Sequence, residues 1–456
     1  MNTRTLSQRS RAPFANKILV AAALLALAGC SSQRIVWSPD GKQAAVLCDD
    51  GLYLCDAEGK ISGLLLPEVA AVSWFQDSRR LAVNRNQTCT NWQALAAVLS
   101  PQKLEDVKRA ATELLAKLQP GNRDQVLKAE GGSNERLFSA RLLYLRDEGG
   151  DAALKLLEGA KQLEHPKVDV STLAVAQVNN GILDVGPILA SEIRDIGEIR
   201  VSPNSAAIAY TTEDGLFVVA AGGGEPDRRV AETVAAYPDW SPDGNSLVYI
   251  TTANTNSGDD IKLGVLTRRR VLNESGQVEI QSNRVDLAGL VFNDQSRVRC
   301  LRDGRILFAS EEWRLPVTTN DLPQRQQLFA LDPERQSTLT PLVPRGTQEM
   351  LPANLSHFEV SPDEKRIAVC GDKSNVAVFT LANGNVEVVQ EPADNDAKSP
   401  DTKSIPCWRS ATELCFIAIQ NSNTNQPKAD VGLWENGKTR LISRSWPAAA
   451  RKGLLD

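Results

Sequence analysis

Residues 240–244 read WSPDG, and the apolar run LVYI follows at residues 247–250. Proline holds φ at about −65°, which suits a turn. Aspartate can hydrogen-bond to nearby backbone amides, and glycine accepts a positive φ without steric cost. The apolar and aromatic residues after the turn are typical of a buried strand. This stretch therefore predicts a tight hairpin that joins two strands.

The same pattern occurs seven times: an apolar stretch that ends in most copies in a large residue, a turn, and a second apolar stretch. The residues that end the first stretch are Trp37, Trp74, Val201, Trp240, Cys300, Val360 and Trp408. A third and often a fourth strand follow, as at residues 376–379 and 386–389. Four strands per unit at a spacing of about 40 residues is typical of propeller blades. We therefore predict an all-β protein, a β-propeller of seven four-stranded blades over residues 34–443. Six or eight blades, or another all-β fold with recurrent turns, are the alternatives.

The SPDG turns at residues 38–41 and 241–244, each followed by an apolar strand, resemble the WD-type propeller repeat of TolB-like periplasmic proteins. The resemblance covers most of the chain, from about residue 34 to residue 443. It implies the fold and says little about activity. The chain has no room for the α/β domain that precedes the propeller in TolB itself, so the resemblance concerns the repeat.

The 127-residue interval between Trp74 and Val201 is too long for one blade, and residues 87–168 are predicted to be an α-helical insertion in blade two. Ser100 and Pro101 are typical of a helix start. An apolar stripe at intervals of three and four follows from Leu104 to Leu118. Two more helices are predicted at residues 135–146 and 152–163. The helices either pack on one another and on the propeller rim, or they form a docking element.

The loop that receives the insertion opens on the same propeller face as the connections between blades. Further long loops at residues 251–260, 310–326 and 420–428 share this face, whereas the SPDG turns lie on the opposite one. Long loops on a rigid scaffold are where function usually lies. Trp313 in one of these loops is a candidate binding residue, either exposed as an anchor or folded onto the rim.

The N-terminus is predicted to carry an export signal. Four basic residues precede an apolar run at residues 18–26, which is too short to span a bilayer, and LAGC follows at residues 27–30. This ending resembles a bacterial lipobox. The resemblance implies a signal peptide at residues 1–29, acylation of Cys30 by a lipid such as palmitate, and a short tether at residues 30–33. Ser31 in place of an aspartate implies the outer membrane, on its periplasmic side. An ordinary signal peptide is the alternative.

Charge and motif content argue against several functions. Removal of residues 1–29 takes away four of the 51 basic residues and none of the 56 acidic ones, which leaves a net charge of −9 and disfavours nucleic-acid binding. The chain has only two histidines, His165 and His357, and it lacks the GxSxG, P-loop and GxGxxG motifs. We therefore predict no enzymatic activity, no catalytic residues, no cofactor and no metal.

Seven cysteines remain besides Cys30, and their spacing does not resemble a zinc site. Cys407 and Cys415 should face each other across a short hairpin, where a disulfide is possible. Buried thiols are the alternative, and we prefer it for most of the seven.

Two functional hypotheses follow. The first is a membrane-tethered envelope lipoprotein whose propeller is a non-enzymatic scaffold for another envelope protein. The second is small-ligand or glycan binding, or enzymatic activity, at the central channel of the propeller. A channel lined by carboxylates and arginines from several blades would favour the second hypothesis. Residues 444–456 are expected to form a C-terminal tail.

Overall fold

The computed structural model describes residues 33–132, 134–160, 165–179, 181–232, 238–252, 262–292, 297–311, 326–334, 339–342, 355–371, 376–389, 406–420 and 428–454. These residues form seven antiparallel sheets of four strands, and each sheet uses four consecutive strands in chain order. This arrangement is a seven-bladed β-propeller, so the predicted fold class and blade number are confirmed.

The first four blades contain strands β1 to β16 in chain order. Blades one and two contain β1 (Ile35–Trp37), β2 (Gln43–Cys48), β3 (Gly51–Asp56), β4 (Leu66–Pro67), β5 (Val69–Trp74), β6 (Arg80–Cys89), β7 (Val168–Asn179) and β8 (Ile182–Glu192). Blades three and four contain β9 (Ile199–Val201), β10 (Ala207–Thr212), β11 (Gly215–Ala220), β12 (Arg228–Ala231), β13 (Asp239–Trp240), β14 (Ser246–Thr252), β15 (Lys262–Arg270) and β16 (Arg284–Phe292).

The last three blades repeat the same order. They contain β17 (Val298–Cys300), β18 (Ile306–Glu311), β19 (Gln326–Leu331), β20 (Leu339–Pro341), β21 (Leu355–Val360), β22 (Arg366–Gly371), β23 (Ala377–Thr380), β24 (Val386–Val388), β25 (Cys407–Trp408), β26 (Leu414–Gln420), β27 (Lys428–Glu435) and β28 (Lys438–Leu441). The apolar residues of the inner strands pack between neighbouring blades, so the core consists of a series of clusters around the ring.

The SPDG turns are held by side-chain hydrogen bonds. Ser241 Oγ donates to Asp243 Oδ1 at 2.5 Å, the same carboxylate accepts the Asn245 amide at 3.1 Å, and Ser241 Oγ accepts the Ser246 amide at 2.9 Å. Although burial raises the pKa of Asp243, these hydrogen bonds outweigh it and lower the pKa. The same set of bonds recurs in the turns that begin at Ser38, Ser202 and Ser361. The serine and the acidic or amide residue therefore specify the turn.

Indole groups join neighbouring blades. The Nε1 of Trp74, Trp240 and Trp408 each donates to a carbonyl on the inner strand of the preceding blade, at 2.8, 3.0 and 3.0 Å. The acceptors are the carbonyls of Val36, Arg200 and Glu359. Each of these three tryptophans thus supplies apolar area and an inter-blade hydrogen bond from one side chain.

The ring closes without strand exchange, because blades one and seven each use only their own consecutive strands. The C-terminal segment supports the seam between them. Trp446 Nε1 donates to the Gly59 carbonyl at 2.7 Å. This segment contains helix α6 (Ala448–Lys452), which is numbered after the five helices of the insertion. Ala450 of this helix and Leu454 are buried in the cluster that the two blades share. We call residues 442–454 the ring clasp.

The insertion lies between β6 and β7 and contains five helices. They are α1 (Trp92–Val98), α2 (Pro101–Lys117), α3 (Arg123–Gly131), α4 (Glu135–Glu148) and α5 (Gly150–Leu157). The predicted cap of α2 is present, since Ser100 Oγ accepts the Lys103 amide at 3.4 Å. The helices α1 and α3 were not predicted, because each has only seven to nine residues, too few to show a helical repeat of apolar positions.

The apolar stripe of α2 is used internally. Ala111, Leu114 and Leu118 pack in a core made by the helices, whereas Val107 joins a second cluster that reaches Val168 and Val170 of β7. The helices therefore pack on one another and on the propeller, and this stripe is not available to a partner.

Seven cysteines lie within the described residues, and all seven are free thiols. Cys407 and Cys415 are direct partners in the β25–β26 register. Contact with Cys415 and burial both raise the pKa of the Cys407 thiol.

None of the helices among the described residues is long and apolar enough to cross a membrane. The predicted signal peptide, Cys30 and Trp313 lie outside the described residues, as do most of the other long loops that share the face of the insertion.

Candidate functional site

The inner strands of blades three to six bring six charged residues together. Four of them stand directly before the last residue of the first apolar stretch of their repeat: Arg200, Asp239, Arg299 and Glu359. The other two, Glu198 and Arg297, stand two positions before Arg200 and Arg299. A strand alternates its side chains with a period of two, so both positions face the same side. We call this set the inner-strand charge cluster: Glu198, Arg200, Asp239, Arg297, Arg299 and Glu359.

Glu359 is the centre of the cluster. Its Oε1 accepts from Arg297 Nη1 at 2.5 Å and from Arg299 Nη2 at 2.7 Å. The two arginine side chains, on blade five, are 3% and 9% exposed, and the Glu359 side chain, on blade six, is 14% exposed. Such short charge-assisted bonds between neighbouring blades are among the stronger hydrogen bonds in proteins.

The remaining members extend the cluster to blades three and four. Arg200 Nε donates to Glu198 Oε1 at 2.6 Å, and Asp239 Oδ2 accepts the Cys300 amide at 2.8 Å. Asp239 thus joins blade four to blade five through the backbone.

The charges of the cluster act on one another between blades. Burial raises the pKa of Glu359, but Arg299, Arg297 and Arg200 outweigh it and hold the pKa at about 2. Arg200 belongs to blade three and Glu359 to blade six, so the electrostatic effects within the cluster extend over four successive blades. With three arginines and three carboxylates, the cluster has no net charge.

The two histidines lie in different environments. His357 is buried on β21; burial first, then the charge of Arg297, lowers its pKa to about 3, despite the opposing effect of Glu359. It is therefore neutral near pH 7. His165 is exposed beside the insertion. No group of three or more His, Cys, Asp or Glu side chains that could hold a metal ion occurs in the described part of the chain.

The ion pair of Glu198 and Arg200 retains hydrogen-bonding capacity. Glu198 Oε2 and Arg200 Nη2 are buried and have no hydrogen-bond partner among the described residues. One is an acceptor and the other a donor, and both belong to the same ion pair. A small molecule that carries a donor and an acceptor, water included, could bind both atoms.

A second polar cluster fixes the insertion to the propeller. Lys103 Nζ of α2 donates to the Ser191 carbonyl and to Glu192 Oε1, both at 2.7 Å, and lies 3.4 Å from Asp227 Oδ2. The Tyr210 hydroxyl donates to the carboxylates of Glu192 and Asp227. Burial raises the pKa of Glu192, against the opposing effect of Lys103. We call this set of five residues the insertion anchor.

Further bonds hold the other helices in place. Arg136 of α4 makes a bidentate ion pair with Asp195, at 2.7 and 2.9 Å, in the connection between blades two and three. The Ser100 amide donates to Ser191 Oγ at 3.2 Å. The insertion therefore contacts blades two and three at several points and is oriented by them.

Strand order places the insertion on one face of the ring. Strands alternate direction within each blade, so the β6–β7 connection and the connections between blades lie at the same end. The turns between first and second strands, which include the SPDG turns, lie at the other end. The N-terminal end of β1 lies on the same face as the insertion.

The inner-strand charge cluster was not predicted, although the sequence contains a signal for it. The seven repeats align on the residue that ends the first apolar stretch, and the residue before it is Arg200, Asp239, Arg299 or Glu359 in blades three to six. A charged residue next to the end of a buried inner strand needs a partner. The residues at this position in blades one and two, Val36 and Ser73, are uncharged.

The fold and these contacts define the class of this protein as a seven-bladed β-propeller with a helical insertion in blade two. No protein-family model matches the chain, and no curated protein is similar to it in sequence.

Solved structures with a similar fold are β-propellers of low sequence identity. The β-propeller domain of the Trilobed protease from Pyrococcus furiosus, with open velcro topology, is 8% identical over 91% of this chain and 97% of its own, with a TM-score of 0.47. The β-propeller domain of Cps50 (Swd1) from Myceliophteria thermophila is 11% identical over 89% and 97%, with a TM-score of 0.44. A TolB homologue from Agrobacterium tumefaciens is 12% identical over 56% and 83%, with a TM-score of 0.35.

Proposed function

We propose that this protein is a lipid-anchored lipoprotein of the bacterial envelope, and that its propeller is a non-enzymatic scaffold for another envelope protein. The anchor is the lipid on Cys30, the location is the periplasmic side of the outer membrane, and the docking element is the helical insertion. The way the insertion is fixed to the propeller is the observation that supports the scaffold.

The insertion is not needed to complete blade two. β6 and β7 pair over ten residues, from Arg80 opposite Gln177 to Cys89 opposite Val168, so a short turn after Cys89 would finish the hairpin. The helices have a core of their own as well as the insertion anchor. A surface that is already ordered binds a partner with a smaller entropic cost than a flexible loop.

The solvent-facing side of α2 is the surface that we assign to the partner. Five of its exposed residues recur at intervals of three and four: Gln102, Glu105, Arg109, Glu113 and Ala116. We call them the α2 outer face. None of them belongs to the apolar clusters of the insertion, so they can change without loss of its core.

Affinity capture from detergent-solubilised envelope tests the scaffold. Three proteins are compared: full length, a deletion of residues 91–166 closed by a short turn, and the triple variant Glu105→Lys, Arg109→Glu, Glu113→Lys. We expect a stoichiometric partner with the full-length protein only. The matched control Lys42→Glu, Lys365→Glu changes charges on the opposite face and should keep the partner. A partner that both test variants retain would exclude the insertion as the docking element.

The lipid anchor has a separate test. Cells fed labelled palmitate should incorporate the label into the wild-type protein and not into Cys30→Ser. The variant should leave the membrane fraction and appear in the soluble periplasmic fraction. Equal labelling of both proteins would refute acylation at Cys30.

The inner-strand charge cluster favours a second candidate function, which is binding of a small polar ligand at the centre of the ring. Charged residues from four blades meet there, and Glu198 and Arg200 each keep a buried atom able to bond a ligand. A thermal-shift screen with sugars, amino acids and small carboxylates tests this function. A ligand that stabilises the wild type and not Arg200→Met would support it, and no hit would leave the cluster with a structural role.

A further inference from the structure

We infer that the face carrying the insertion is turned toward the membrane, and that the partner of the α2 outer face is a protein embedded in that membrane. This inference rests on the proposed lipid anchor at Cys30. It follows from the strand order of the propeller and from the charge and polarity of the insertion.

The chain enters the propeller on the insertion face. Gln33, the first residue that the structure describes, lies two positions before β1. β1 then runs to the SPDG turn at residues 38–41 on the opposite face. The first and second strands of each blade are antiparallel, so the second strand ends on the face where the first strand begins. The start of β1 and the β6–β7 connection therefore lie on the same face of the ring.

The distance from the lipid to the propeller is short. Cys30 is three residues before Gln33, a span of at most about 10 Å for an extended chain. A single α-helix with its side chains is about 10–12 Å in diameter. The anchored ring therefore has no space to turn its insertion face away from the bilayer, and the helices of the insertion lie close to the membrane surface.

The composition of the insertion favours a protein partner over the lipid surface. Residues 92–160 contain ten Lys and Arg and ten Asp and Glu, so the insertion carries no net charge. Binding to anionic headgroups needs clustered basic residues, and insertion into the bilayer needs an exposed apolar face as well. Leu154 is the one exposed large hydrophobic residue among the described residues of the insertion. The α2 outer face, with mixed charges, suits the extramembrane part of a protein.

Energy transfer on vesicles tests the orientation. The lipidated full-length protein is placed on vesicles of phosphatidylethanolamine and phosphatidylglycerol with acceptor dye on the headgroups. A donor dye is attached at residue 113, on the α2 outer face, or at residue 42, whose lysine is 82% exposed on the opposite face. We expect clearly more efficient transfer from residue 113. Equal transfer, or more from residue 42, would overturn the orientation. A protein that does not remain on the vesicles would refute the anchor instead.

Photocrosslinking in cells tests the partner. A photoreactive amino acid at residue 113 should give one cross-linked protein that stays in the membrane after carbonate extraction, and the same group at residue 42 should not give it. A cross-link to lipid, a cross-link to a protein that carbonate releases, or no cross-link at residue 113 would each overturn the inference. Because the anchored protein is recovered in every case, these results are separate from the test of acylation.

Discussion

Arg297 Nη1 and Glu359 Oε1 lie 2.5 Å apart on the inner strands of neighbouring blades, and both side chains are largely shielded from solvent. The same carboxylate oxygen bonds Arg299, so one glutamate forms ion pairs with two arginines. Breaking a buried ion pair costs much more than breaking one at the surface, because a charge is left without compensation in a medium that solvates it poorly.

Glu359→Gln should therefore lower the free energy of unfolding by about 3–5 kcal/mol. Urea denaturation at pH 7 measures the change. Glu105→Gln is the matched control, because Glu105 pairs with Lys108 on the exposed surface of α2, where solvent screens the pair, and should have little effect. Equal losses for both variants would show that the cluster does not stabilise the ring.

His357 should make the protein sensitive to mild acid. Its pKa in the folded protein is about 3, whereas that of an unfolded histidine is about 6.5. As pH falls below about 6.5 the unfolded chain binds a proton that the folded chain cannot, so stability declines by up to about 1.4 kcal/mol per pH unit. His357→Gln should flatten this decline between pH 6.5 and 4, as measured by urea midpoints. His165→Gln, at an exposed position, should keep the wild-type slope.

Lys103→Met should loosen the insertion while the ring stays folded. The substitution leaves the carboxylates of Glu192 and Asp227 together without their cation, so amide hydrogen exchange in α2 should increase at least tenfold. The propeller strands should exchange as before. Lys108→Met is the control, because its ion pair with Glu105 is on the surface. Unchanged exchange in α2 would mean that apolar packing alone holds the insertion.

The inter-blade indoles allow a matched comparison. Trp240 Nε1 donates to the Arg200 carbonyl, whereas Trp37 Nε1 is buried with no hydrogen-bond partner among the described residues. Both rings are buried, so replacement by phenylalanine removes similar apolar area. Trp240→Phe should cost about 1 kcal/mol more in unfolding free energy than Trp37→Phe, which is the net value of one hydrogen bond. An equal or larger loss for Trp37→Phe would refute a stabilising role of the indole bond.

The ring clasp should contribute strongly to closure. Trp446 is 3% exposed and bonds the Gly59 carbonyl across the seam, so Trp446→Ala should cost about 3–5 kcal/mol. Thermal unfolding measures the loss, and the exposed Lys452→Ala on the same segment should have little effect. A small loss at Trp446 would show that packing between blades one and seven closes the ring by itself.

The repeat made the fold predictable. Turn residues and apolar runs are local signals, and seven copies of them define the hairpins at the inner half of every blade. The helix start at Ser100 and the stripe of α2 were predicted on the same basis. The helices α1 and α3 were not, because short helices depend on tertiary packing more than on their own sequence.

The sequence by itself determined the seven hairpins and the position of the insertion, because each depends on residues that are close together in the chain. On the same local basis it predicts the export and lipidation signals. The tertiary structure decided which residues meet at the centre of the ring, how Lys103 fixes the insertion, and how residues 442–454 close the seam. Glu198 and Glu359 are 161 positions apart in the chain. Only the closed ring brings their blades around one axis, where buried charges can compensate one another.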